Sequence, residues 1–236
     1  MADERRRDSS LTISGLQYHV NEWDGGGDTT VLLLHGYLDL GQNWSFLAEA
    51  LEDTDWHIVA PDWRGHGDSD WIGAGGYYHF ADYVRDLEQL VTALRRRRLI
   101  VVGHSMGAMV ATLWAGLRTE HLNGLVLVDG TGPMMIGTDD YPRRFQAWLE
   151  QTAPYQPKDF SRPMADLAHA TRRLERAFPK LSGHMVARIA QFSTCADVEG
   201  GRRWKYDPLH RTQAPMPMLP AIVEGFWRKI QCPIFG

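Results

Sequence analysis

The stretch Leu99-Ile100-Val101-Val102-Gly103-His104-Ser105-Met106-Gly107-Ala108-Met109-Val110 runs from four apolar residues through a glycine-flanked serine into small apolar residues. Four consecutive large aliphatics predict a strand buried on both faces. Met106 to Leu117 is small and apolar all round, which predicts a helix buried beneath a site. A strand that turns at once into a helix strains the residue at the bend, and here that residue is Ser105. The bend lifts its hydroxyl clear of the sheet. Side chains at 103 and 107 would collide with the neighbouring strand and helix, so Gly103 and Gly107 suit those positions. The helix N-terminus presents backbone N–H groups and positive dipole toward a developing oxyanion. Ser105 is therefore the candidate nucleophile.

Outward from this point, short apolar runs alternate with segments of helical period. Strands are predicted at Leu16 to Trp23, Thr29 to Leu34, His57 to Ala60 and Gly124 to Val128. The first alternates apolar and polar residues and reads as a half-exposed strand at a sheet edge. Phe80, Tyr83, Val84, Leu87, Leu90, Val91 and Leu94 form one apolar stripe at spacings of three and four, and Asn43 to Leu51 reads as a shorter helix. This rhythm predicts an α/β fold, a doubly wound, mostly parallel sheet with helices on both faces. The core begins over residues 11–130. From 131 to 218 the rhythm lapses, and helical stretches near Pro142 to Gln151, Met164 to Phe178 and Ser182 to Phe192 predict an inserted, mainly helical cap. Residues 219–236 return to the core, with a helix over Ala221 to Ile230 and the first residues of a strand at Cys232 to Phe235.

Two further motifs lie at strand ends. Leu34-His35-Gly36-Tyr37 follows the strand VLLL, and Asp62-Trp63-Arg64-Gly65-His66-Gly67-Asp68-Ser69 follows HIVAPD. With the G-x-S-x-G bend, in this order and spacing, they resemble the α/β-hydrolase superfamily over about Leu11 to Gly130. The stretches Trp204 to Leu209, Phe226-Trp227 and Ile230 to Pro233 are similar to the cap exit of its serine-hydrolase-like members. The resemblance implies a nucleophile at Ser105 and an oxyanion hole built from the Tyr37 and Met106 N–H groups, with His35, Gly36, Gly103, His104 and Gly107 in support. It assigns the loop from Asp62 to Ser69 an architectural role, with Arg64, Asp62 and Asp68 bonding backbone and neighbouring loops. His35 and His66 are then structural, and His104 is expected to pack against the core.

A serine hydroxyl needs a base, and the base a carboxylate. The resemblance implies an acid after the penultimate core strand and a histidine after the last, an order of serine, acid, histidine. Neither position is matched before Gly236, so the C-terminal strands are expected to be missing. The strand at Gly124 is then expected to present an open edge. A truncated fragment is favoured over a shortened product that persists without catalysis. Within the chain, Asp129 is a possible acid, while His169, His184 and His210 could overhang the site but are expected to be surface or packing residues.

Composition narrows the remaining classes. A hydrophobic fraction of 44% and a charged fraction of 23% fit an ordinary globular protein, and a formal net charge of −4 exerts no broad pull on nucleic acid or anionic membrane. No apolar run approaches the roughly 20 residues of a transmembrane span, and residues 1–10 lack a secretory core. Two distant cysteines give no disulfide framework, so a cytoplasmic location is expected. Neither metal-ligand spacing nor a phosphate-cradling loop occurs; no cofactor is expected. The expected function is a serine hydrolase acting on an ester or similar activated carbonyl, with a small substrate carrying an apolar portion. As a truncated chain it is expected to be inactive or impaired. Serine at the bend argues against epoxide hydrolases and haloalkane dehalogenases, which resemble this fold but use aspartate there; carbon–carbon bond hydrolases and cofactor-free haloperoxidases also resemble the pattern. The alternative is a non-catalytic binding protein on the same scaffold.

Overall fold

The computed structural model describes residues 5–130, 139–153, 163–216 and 218–236; the parts of the expected cap at 131–138, 154–162 and 217 lie outside the described residues. A seven-stranded sheet forms the centre. Its strands are β1 (Arg6–Ile13), β2 (Leu16–Asp24), β3 (Thr29–Leu34), β4 (His57–Pro61), β5 (Arg98–His104), β6 (Gly124–Val128) and the short C-terminal β9 (Ile234–Phe235). The spatial order is β1-β2-β4-β3-β5-β6-β9. β1, β2 and β4 pair antiparallel, and every pairing from β4 to β9 is parallel.

The central strands are continuous Val, Ile and Leu runs because they are covered on both faces. One face packs against α2 (Phe80–Leu94) and α3 (Met106–Ala115), where Leu87, Leu90, Val110, Ala111 and Trp114 meet Leu32, Leu34, Val101 and Leu125. The other carries Val31, Leu33, Ile58 and Val102 against Ala48 of α1 (Ser45–Ala50). The α2 stripe matches the predicted one residue for residue, since every third or fourth position must turn apolar to reach the sheet.

Two expectations about the sheet edges are overturned. Leu16–Asp24 is not an edge strand, because β1 pairs along it from Ile13↔Leu16 to Arg6↔Trp23. Arg6, Arg7 and Asp8 conceal the strand character of β1, and charges of this kind are what an edge strand carries to discourage further pairing. Nor is β6 the opposite edge: β9 pairs with it through Leu125↔Ile234 and Val126↔Phe235.

After β6 the chain forms α4 (Asp140–Thr152), α5 (Leu167–Ala177) and α6 (Gly183–Ser193), close to the three predicted helices. A small hairpin unforeseen in the sequence, β7 (Thr194–Ala196) with β8 (Arg202–Trp204), follows them. Met164, Ala170, Ala190, Leu167, Leu174 and Trp204 form a small core separate from the sheet. α7 (Pro220–Trp227) then packs on α3, burying Val223 against Met109 and Leu113. Among the described residues, no helix is long and apolar enough to cross a membrane.

Candidate active site

Ser105 stands between β5 and α3 with φ 48° and ψ −111°, a region that costs a non-glycine residue about 1–3 kcal/mol. Close packing on both sides holds it there. The Ser105 N–H donates to the Val128 carbonyl of β6 at 2.9 Å, and its own carbonyl accepts from Met109 N at 3.1 Å. A Cβ on Gly103 would lie 2.6 Å from the Ala108 backbone, and one on Gly107 would lie 2.7 Å from the Leu34 carbonyl carbon. Both collisions are those expected from the sequence. Ser105 itself is half-buried, so its hydroxyl is not sealed in the core.

The loop after β3 faces this serine. A Cβ on Gly36 would sit 3.4 Å from the Ser105 Cβ and 2.7 Å from His104 Nδ1, so only glycine lets that backbone approach so closely. Tyr37 follows directly, and Met106 opens α3, where the first N–H groups have no acceptor within the helix. The Tyr37 hydroxyl donates to the His210 carbonyl, which ties this loop to residues 208–211. Burial pushes that phenol up to about 12.

The loop after β4 braces the site from the other side. Asp62 accepts from Gly41 N at 2.6 Å, Asp68 N at 2.9 Å and the His19 ring at 2.9 Å. Arg64 reaches inward and donates twice to Asp86 of α2, at 2.5 and 2.6 Å, and the Tyr18 hydroxyl donates to the same carboxylate. Asp68 holds Lys205 at 2.6 Å. This loop is also stitched to the segment after β8, through Gly67 N on the Lys205 carbonyl at 2.6 Å and Asp207 N on the Gly65 carbonyl at 2.8 Å.

Asp129, the possible acid, follows the Val128 carbonyl that holds Ser105. It is exposed, with φ 48°, and no hydrogen bond reaches its carboxylate among the described residues. The base is harder to place. His35 is fully buried, with Nδ1 2.8 Å from the Gly36 carbonyl and Nε2 accepting from Trp63 N at 2.9 Å. His66 is likewise spent on backbone, and burial pushes it well below the ordinary imidazole range. His210 is buried, stacked on Tyr78 at 3.8 Å, with Nε2 close to Gly65; burial pushes it down to about 3. His19 and His57 pair with Asp62 and Glu22. His169 accepts from Ala165 N at the start of its own helix, and His184 is exposed on α6. His104 is half-buried against Gly36. Among the described residues no hydrogen bond joins a histidine to the Ser105 hydroxyl.

This strand–serine–helix bend, faced by a glycine loop after β3 in a mostly parallel sheet, has a counterpart among known families. Residues 29–190 match the α/β hydrolase fold family. The chain belongs to that family. A serine hydrolase-like protein of Danio rerio is 31% identical over 181 residues, covering 76% of this chain and 55% of its own length. The non-heme chloroperoxidase CPO-A1 of Kitasatospora aureofaciens is 32% identical over 132 residues, 56% of this chain and 46% of its own. The thioesterase domain from the curacin biosynthetic pathway superposes with a TM-score of 0.83 at 28% identity, covering 97% of this chain and 80% of that one. The chain spans about half the length of the curated relatives it matches. Relatives of such different names share the fold and not one chemistry, so membership of the family does not by itself fix a reaction.

Proposed function

We propose that this α/β hydrolase-fold chain carries the nucleophilic half of a serine hydrolase acting on an ester or similarly activated carbonyl. The observation that carries the reading is the backbone of Ser105. Its φ of 48°, with Gly36 opposite at van der Waals distance, puts a hydroxyl where two loops converge. Ser105 attacks the carbonyl carbon, and the Tyr37 and Met106 amides take the negative charge that develops on the carbonyl oxygen. Asp129, directly after the Val128 carbonyl that holds Ser105, is the candidate acid. α4 to α6 and the β7–β8 hairpin serve as the cap over a small substrate with an apolar portion, for which exposed Phe145 and Leu149 supply surface. The thioesterase name of the solved neighbour supports an acyl group as the part attacked. The serine proton passes to a base; among the described residues no histidine bonds the Ser105 hydroxyl, and added imidazole can take that part.

A non-catalytic binding role is the second reading, favoured by the absence of a histidine on Ser105 among the described residues. A fluorophosphonate probe separates the two, with free imidazole added as a surrogate base. The hydrolase reading expects one adduct on Ser105, faster with imidazole and absent in Ser105→Ala. A folded chain whose Ser105 stays unlabelled under both conditions would favour binding alone.

A further inference from the structure

Each of the two loops beside Ser105 carries a buried histidine, and each ring reaches into the other loop. His35, in the loop after β3, accepts the Trp63 N–H of the loop after β4 at Nε2, 2.9 Å away. His66, in the loop after β4, accepts the Leu38 N–H of the loop after β3 at Nε2, 3.3 Å away. The rings meet edge to face with centroids 5.2 Å apart, and both are fully buried.

The partners fix the protons. A main-chain N–H only donates, so both Nε2 atoms are acceptors and both Nδ1 atoms carry hydrogen. Those hydrogens have carbonyls waiting, Gly36 O 2.8 Å from His35 Nδ1 and Arg64 O 3.0 Å from His66 Nδ1. Burial keeps both imidazoles neutral, as this arrangement requires.

The consequence falls on the oxyanion loop. The Gly36 carbonyl and the Tyr37 N–H belong to one planar trans peptide and point in opposite directions. Holding that carbonyl inward on His35 therefore turns the Tyr37 N–H outward. The next plane carries the Leu38 N–H, which His66 holds. Leu38 has φ 59°, so the loop contains a strained residue that needs an external restraint. His210, itself buried, packs against His66 with ring centroids 4.1 Å apart.

We propose that His35 and His66 form a reciprocal clamp on two successive peptide planes, making both positioning residues for the Tyr37 amide; this rests on the hydrolase reading above. His66 is the test case, because its bond is remote from Ser105 and a glutamine can replace its acceptor. In His66→Leu the maximal rate of fluorophosphonate labelling at Ser105, measured with imidazole, is expected to fall roughly tenfold with the half-saturating probe concentration unchanged, since a misaimed donor stabilises the transition state less. His66→Gln is expected to restore most of that rate. An unchanged maximal rate in a folded His66→Leu chain would overturn the clamp.

If the wild-type chain itself does not label, the hydrolase reading fails and the clamp is decided separately by imidazole 15N NMR of the intact chain at neutral pH. The same spectrum decides it if His66→Leu does not fold. The expected spectrum shows His35 and His66 both as the neutral Nδ1–H tautomer. An Nε2–H tautomer or an imidazolium at either residue would overturn the clamp.

Discussion

Gly107→Ala tests the contact on which the bend depends. A Cβ there would lie 2.7 Å from the Leu34 carbonyl carbon and 2.8 Å from the His35 oxygen, both backbone atoms at the end of β3. Ordinary heavy-atom contact is about 3.5–4.0 Å, so strand and helix must separate by about 1 Å. No flexible side chain can absorb that shift. Overpacking of this kind costs about 1–3 kcal/mol, and rigid atoms on both sides place it at the upper end. Alanine recovers at most about 1 kcal/mol of helix propensity, leaving a net loss near 2 kcal/mol. For a chain of this length that is roughly 4–8 °C in Tm. Gly225→Ala in α7 is the control, because no described atom lies within 4 Å of its Cβ position. It should stabilise by up to about 1 kcal/mol. Urea denaturation of both variants measures the difference. If Gly107→Ala is as stable as Gly225→Ala, β3 and α3 are not in contact at the bend and the reasoning fails.

Two other outcomes follow from buried charge. Asp86→Ala leaves the buried Arg64 guanidinium only the Asp82 carboxylate at 3.7 Å and takes the acceptor from the Tyr18 hydroxyl, and should cost about 3–5 kcal/mol in urea denaturation; a loss under about 1 kcal/mol would show that the pair is not buried. His210 is neutral in the fold, held down to about 3 by burial, whereas an unfolded imidazole titrates near 6.5. Protons therefore bind the unfolded chain first: stability is complete above about pH 6.5 and declines as pH falls toward 3. His210→Phe should flatten the upper part of that decline in urea midpoints measured from pH 7 to 5, and an unaltered slope would contradict the assignment.

The sheet and the bend were legible because their signals are local. Val31 to Leu34 and Leu99 to Val102 are apolar without interruption, and the α2 stripe repeats at helical spacing over fifteen residues. β1 was hidden because Arg6, Arg7 and Asp8 read as a charged terminus, while its strand character depends on pairing with β2. β7 and β8, three residues each, are too short for a period to show. At the site, Ser105 and Gly107 could be named in advance because their spacing constrains one tight turn, and Gly36 because it directly follows a buried strand in a second motif. The engagement of His35 with Trp63, and of His66 with Leu38, could not. Those partners are separated by 28 residues in sequence and meet only where two loops fold together.

The central claim is that Ser105 carries its hydroxyl beneath two converging main-chain amides. A crystal structure of the fluorophosphonate adduct tests this most directly. The account expects phosphorus bonded to Ser105 Oγ, with the phosphoryl oxygen about 2.7–3.1 Å from both the Tyr37 and Met106 nitrogens. A phosphoryl oxygen turned to solvent, with either amide aimed elsewhere, would contradict it.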